Sequence, residues 1–162
     1  MERALVCVLA VACFLAGSLR PVEGQILSVG ARVSYITEVD LVIQQGTLGL
    51  GGQAVLGFPV IGLKVQGTLD FYFPDCEGVD CDLRDVGLNG LWTLPIPVVD
   101  PYLGAGVAVI RSSVEGEDDT DVGLNLLLGL GFRRLFVETK LQLLQDLDNQ
   151  LVLTGGVSLP IL

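Results

Sequence analysis

From residue 26 onward, apolar or small side chains recur on every second position. The pattern runs through about eight successive segments of roughly ten residues, with turn-forming sequence between them. Strand neighbours point to opposite faces, so a period of two predicts strands rather than helices. Residues 63–73 put Leu63, Val65, Gly67, Leu69, Phe71 and Phe73 on one face and Lys64, Gln66, Thr68, Asp70 and Tyr72 on the other. Residues 135–143 oppose Leu135, Val137, Thr139, Leu141 and Leu143 to Phe136, Glu138, Lys140 and Gln142. The alternation predicts strands over 26–36, 47–58, 62–73, 84–94, 101–110, 122–132, 135–144 and 151–159.

The second face decides which way the strands look. It is rich in glycine (Gly30, Gly51, Gly87, Gly106, Gly129, Gly156) and sparse in charge. That suits the filling of a narrow barrel better than a solvated exterior. The first face is a nearly unbroken band of Leu, Val and Phe, as hydrocarbon requires. The connections agree, because short ones (59–61, 95–100, 133–134) alternate with longer or acidic ones (37–45, 74–83, 112–121, 145–149). An up-and-down transmembrane barrel with tight turns at one end and loops at the other has this form. Aromatics of the apolar face sort to the segment ends, Phe58, Trp92 and Phe132 beside short turns and Tyr35, Phe71 and Phe73 beside long loops. They predict two interfacial girdles. The expected fold is an all-β, eight-stranded antiparallel barrel.

Composition sharpens this picture. The chain has 162 residues, 51% hydrophobic and 17% charged, against about 25% charged in soluble domains. After residue 20 no uncharged apolar run reaches the length of about 18 residues that a spanning helix needs. Closed barrels are the other structure that satisfies every backbone group in lipid. Residues 1–24 read as a cleaved signal peptide, with Arg3 as the positive region, an apolar stretch over 4–19, and Val22-Glu23-Gly24 before the cleavage at Gln25. Residues 25–162 then form the barrel domain, and an even strand number puts both mature termini on the periplasmic side.

The net charge is −10, which argues against nucleic acid as a partner. Cys76 and Cys81 lie close together in an acidic loop of an exported chain and are expected to form a disulfide. The chain has no histidine, so proton transfer by imidazole is excluded and no enzymatic activity is expected. No metal site or cofactor is expected either. Two thiolates make a poor zinc site, and the acidic run 115–121 lacks the spacing of an EF-hand loop and reads as a solvated loop. Gly104-Ala105-Gly106 lies within a predicted strand, where it serves packing rather than phosphate binding.

The segment Pro101-Tyr102-Leu103-Gly104-Ala105-Gly106-Val107, with the strand pattern around it, resembles the small eight-stranded outer-membrane barrels of Gram-negative bacteria. These are the transmembrane domain of outer membrane protein A, the opacity adhesins and the broad outer membrane protein beta-barrel family. The resemblance covers the whole mature chain. It implies location in the outer membrane, contact with its lipid, and insertion by the barrel assembly machinery. It implies a fold more than an activity. Such barrels usually end in an aromatic residue, whereas this chain ends Leu159-Pro160-Ile161-Leu162.

The candidate site is the polar face. Arg32, Lys64, Asp70, Glu138 and Lys140, with Gln53, Gln66, Asn89, Asn125 and Gln142, are expected in the lumen as a network that fills the barrel and pins its register. The function expected from these features is a non-enzymatic scaffold presenting acidic external loops to an unknown ligand or surface partner. The alternatives are a narrow pore for small solutes and an exported soluble, calycin-like barrel that binds an apolar ligand.

Overall fold

The structure is a computed structural model in which residues 27–38, 46–58, 62–74, 81–94, 96, 98–114, 117–145 and 148–161 are described. The expected signal peptide and Cys76 lie outside the described residues.

The strands are β1 (Leu27–Glu38), β2 (Thr47–Phe58), β3 (Leu63–Tyr72), β4 (Cys81–Thr93), β5 (Asp100–Val114), β6 (Glu117–Phe132), β7 (Leu135–Leu144) and β8 (Gln150–Pro160). Each pairs antiparallel with its sequence neighbour, and β1 pairs with β8, closing the barrel. Closure satisfies the backbone groups that an open edge would leave bare.

Side chains sort by parity as the alternation predicts. On β6, Leu124, Leu126 and Leu128 face outward and are 59%, 50% and 67% exposed. Arg32, Asp70, Glu138 and Lys140 face inward and are at most 2% exposed. This is the inverse of a protein built for water, where apolar surface would be driven inside. Glycines confirm the direction. A Cβ on inward Gly51 would collide with the Asp70 carboxylate, and one on inward Gly129 with the Tyr102 ring. A Cβ on outward Gly67 would meet nothing within 4 Å. Interior crowding therefore requires glycine at the first two positions and does not at the third.

β2 and β7 span the expected residues, whereas β4, β5 and β6 run further outward. The stretches 74–83 and 112–121 were expected as loops, yet Cys81 pairs with Val114, Ser113 with Asp118 and Val114 with Glu117. The acidic residues 117–121 thus belong to β6. Beyond the apolar band both faces of a ribbon meet water, so the hydrophobic period disappears while the backbone ladder continues. The aliphatic C-terminus takes its place in the sheet. Leu159 pairs with Val29, and the Ile161 N–H donates to the Leu27 carbonyl at 2.9 Å.

Candidate functional site

The lumen is layered. Toward the loop end, Ile36, Tyr72 and Val152 form a buried apolar cluster with Leu83 packed against it. Toward the short-turn end, Leu91, Tyr102 and Leu127 form a second one. Between them lies a network of polar side chains to which all eight strands contribute, β5 through the Tyr102 hydroxyl that enters it from the lower cluster.

The network is built on rows of directly opposed residues. One row runs Arg32, Gly51, Asp70, Asp85, Ile110, Asp121 across β1 to β6. Gly51 carries no side chain, so the Arg32 guanidinium passes over it and its Nε comes within 3.1 Å of Asp70 Oδ1. The contact has ion-pair distance but not hydrogen-bond angles. Arg32 Nη2 lies 3.3 Å from Glu138 Oε1 and donates to Thr154 Oγ1 at 3.1 Å. Arg32 Nη1 reaches Gln53 Oε1 at 3.4 Å. Glu138 Oε2 accepts from Gln66 Nε2 at 3.2 Å and from the Tyr102 hydroxyl at 3.0 Å.

A relay of amides joins this cluster to a second ion pair. Asn89 Nδ2 donates to Gln66 Oε1 at 3.1 Å, and Asn125 Nδ2 to Asn89 Oδ1 at 2.9 Å. Gln142 Nε2 donates to Asn125 Oδ1 at 3.3 Å and to Asp85 Oδ2 at 3.0 Å. Lys140 Nζ lies 2.5 Å from the same Asp85 oxygen. Buried charges are tolerable when paired and hydrogen-bonded in this way.

Of the residues expected in the lumen, the structure brings together Arg32, Asp70, Glu138 and Lys140 with all five amides. Lys64 has the inward parity but is only half-buried, near the short-turn end, and joins no ion pair described in the lumen. Sequence reasoning missed Asp85, Tyr102 and Thr154 as network members. Parity would have found Asp85, which lies two and four positions before Gly87 and Asn89 on the same inward face. Its place near an expected strand end made it look like a rim residue. Cys81 opens β4 with its sulfur in a disulfide.

Outside, the apolar band ends in charge. On β4 and β5 the outward pair Val86–Val109 is followed by Arg84–Arg111. Arg84 Nη2 lies 2.7 Å from Asp82 Oδ2, and its guanidinium stands 5.8 Å from the centre of the Phe71 ring. Arg111 pairs with Asp118 on the projecting ribbon, and this guanidinium holds the exposed Asp118 carboxyl below the usual carboxylate range. No group of three or more acidic, cysteine or histidine side chains suited to a metal occurs among the described residues.

No family model matches the sequence, and no curated protein matches it. Solved structures do. Neisserial surface protein A superposes with a TM-score of 0.65 at 17% identity, covering 83% of this chain and 97% of that one. The N-terminal β-barrel domain of Pseudomonas aeruginosa OprF gives 0.59 at 16% identity, covering 85% of this chain and 100% of the other. The chain therefore has the fold of the small eight-stranded outer-membrane β-barrels.

Proposed function

We propose that this protein is an integral outer-membrane barrel whose work is structural and interactive: a rigid, lipid-embedded scaffold that holds an acidic ribbon and loops outside the cell. The observation that carries this reading is the filled lumen. A cross-linked polar layer between two apolar clusters leaves side chains, rather than a solute path, along the axis. An eight-stranded barrel has an interior just wide enough for such a filling.

The outward Leu, Val and Phe band supports placement in lipid, and the projecting β4–β6 ribbon, carrying Asp82, Asp118 and Asp119, supports display. Catalysis is no part of this reading, because the chain has no histidine and its polar cluster is shut from solvent. A lumen lined by Arg32, Asp70, Asp85, Glu138 and Lys140 does not suit an apolar ligand, which weighs against the calycin-like alternative. Insertion by the barrel assembly machinery and a Cys76–Cys81 disulfide clipping the loop before β4 complete the proposal.

Fractionation and planar-bilayer recording test it together. The expected result is recovery in the outer-membrane fraction, release only by detergent, and no steady conductance from the purified barrel. A large sustained current would establish the narrow-pore alternative, and recovery in the periplasm without detergent would reject membrane insertion.

A further inference from the structure

The two ends of the barrel differ in charge. The connections at the loop end (37–45, 74–83, 112–121, 145–149) contain Asp and Glu but no Lys or Arg. Those at the other end (59–61, 95–100, 133–134) contain Arg133, Arg134 and a single acid, Asp100. Asp100 lies opposite Gly131, on the inward parity, and so does not share the face on which Phe132 points outward. Among the described residues no ion pair includes Arg133 or Arg134.

These two arginines are the whole of the connection between β6 and β7, next to Phe132, the last outward residue of β6. Arg133 takes a left-handed φ of 56°, which side chains other than glycine seldom adopt. Its guanidinium stands 5.4 Å from the centre of the Phe132 ring. That contact lays the cation along the edge of the apolar band instead of out into water. A guanidinium so placed keeps its N–H fork for an oxyanion.

The connection from β4 to β5 is apolar. It turns tightly, the Ile96 N–H donating to the Leu94 carbonyl at 2.9 Å. Val98 has a φ of 81°, an outlier for a β-branched residue, and its side chain is 80% exposed. Such a residue gains nothing from water. Trp92 and Leu94, both exposed, carry the outward apolar parity of β4 down to this turn. An apolar end that bears unpaired cations and continues the hydrocarbon band suits the headgroup layer of a negatively charged leaflet.

We propose that Arg133 and Arg134 bind the phosphate of an anionic phospholipid, of the phosphatidylglycerol class, in the leaflet around the short-turn end. The inference rests on the reading that the barrel spans a membrane. The guanidinium fork matches phosphate geometry, and Phe132 holds it at headgroup depth. Ile96 and Val98 enter the same layer, while the acidic loop end lies at the opposite leaflet.

The test places a tryptophan at the site. The chain has one, Trp92, so Trp92→Phe with Phe132→Trp moves the fluorophore beside Arg133. The mature barrel is folded into phosphatidylcholine vesicles holding a small fraction of brominated phosphatidylglycerol or brominated phosphatidylcholine, and folding is verified by heat-modifiable gel mobility. Quenching should show at least about fivefold preference for the anionic lipid, the gain expected from one arginine at an anionic surface. Adding Arg133→Gln and Arg134→Gln should bring the two lipids to parity. Sodium chloride at about 1 M should reduce the preference without those substitutions, which decides the matter should the glutamine variant not fold. Equal quenching by the two lipids would overturn the site, leaving water or a protein around the arginines. A preference unchanged by the glutamines or by the salt would also overturn it, by placing the anionic lipid elsewhere. No quenching by either lipid in a folded chain would overturn the membrane reading together with the site, an outcome distinct from the loss of lipid preference alone.

Discussion

Arg32 and Asp70 sit on strands separated by a third, and their side chains meet, Nε to Oδ1 at 3.1 Å, because Gly51 lies between them in the same row. The pair is thus a three-residue device in which the empty position is as necessary as the two charges. The same logic recurs where Tyr102 lies over Gly129 on its way to Glu138.

Filling the empty position should therefore break the pair. Gly51→Ala puts a Cβ against the Asp70 carboxylate and is expected to destabilise the barrel by about 1–3 kcal/mol, the usual penalty of overpacking. Gly67→Ala, which faces outward into open space, should leave stability within about 0.5 kcal/mol of wild type. Heat-modifiable gel mobility across a temperature series separates the two. Equal melting of both variants would show that the glycine face is not the crowded one.

Glu138 receives Arg32, Gln66 and Tyr102 at once. Glu138→Ala strands the guanidinium and should lower stability by about 3–5 kcal/mol, as breaking a buried pair does. Conductance should change little if the lumen is filled as proposed, because the apolar clusters toward either end do not depend on the Glu138 carboxylate. Unchanged melting with a large new current would reverse this ranking and recast the network as a gate.

Leu128 is 67% exposed in the middle of the outward band. Leu128→Arg should lower stability in lipid vesicles by about 2–4 kcal/mol, the depth-dependent penalty for a cation at the bilayer midplane. Arginine is already present at the edge of the same band, at Arg84 and Arg111. Reversible unfolding in vesicles measures the difference. A neutral outcome would mean that the apolar face does not contact hydrocarbon.

Asp118 is held by the Arg111 guanidinium below the usual carboxylate range. A depressed folded value means that the contribution of this pair is full above the ordinary carboxylate pKa and is lost as pH falls through the lower folded one. Acidification should release the ribbon tip while the barrel stays intact, since exposed pairs contribute little. NMR titration of the Asp118 carboxyl should show the depressed midpoint in the wild type and its return toward the ordinary value in Arg111→Ala. The same midpoint in both proteins would count against the pairing.

Strand positions and their faces were legible because the bilayer imposes one rule on every spanning residue. Leu63 to Phe73 and Leu135 to Leu144 could be assigned by parity alone. The rule lapses outside the band, which is why the ladder through Ser113 and Asp118 was read as loop. It is silent on partners as well. Parity put Asp70 and Lys140 inside, but it could not say that Asp70 goes to Arg32 across Gly51 or that Lys140 goes to Asp85, fifty-five positions away in the chain.

The amino-acid order by itself determined that strands form, how many close the barrel, and which side of each meets hydrocarbon, because lipid selects side chains one position at a time. Only the closed barrel decided which charges pair, where the buried apolar clusters sit, and that Asp70 lies opposite Asp85 in the register. Those relations depend on register between strands, and register is set by how the glycines and bulky groups of all eight strands fit together at once.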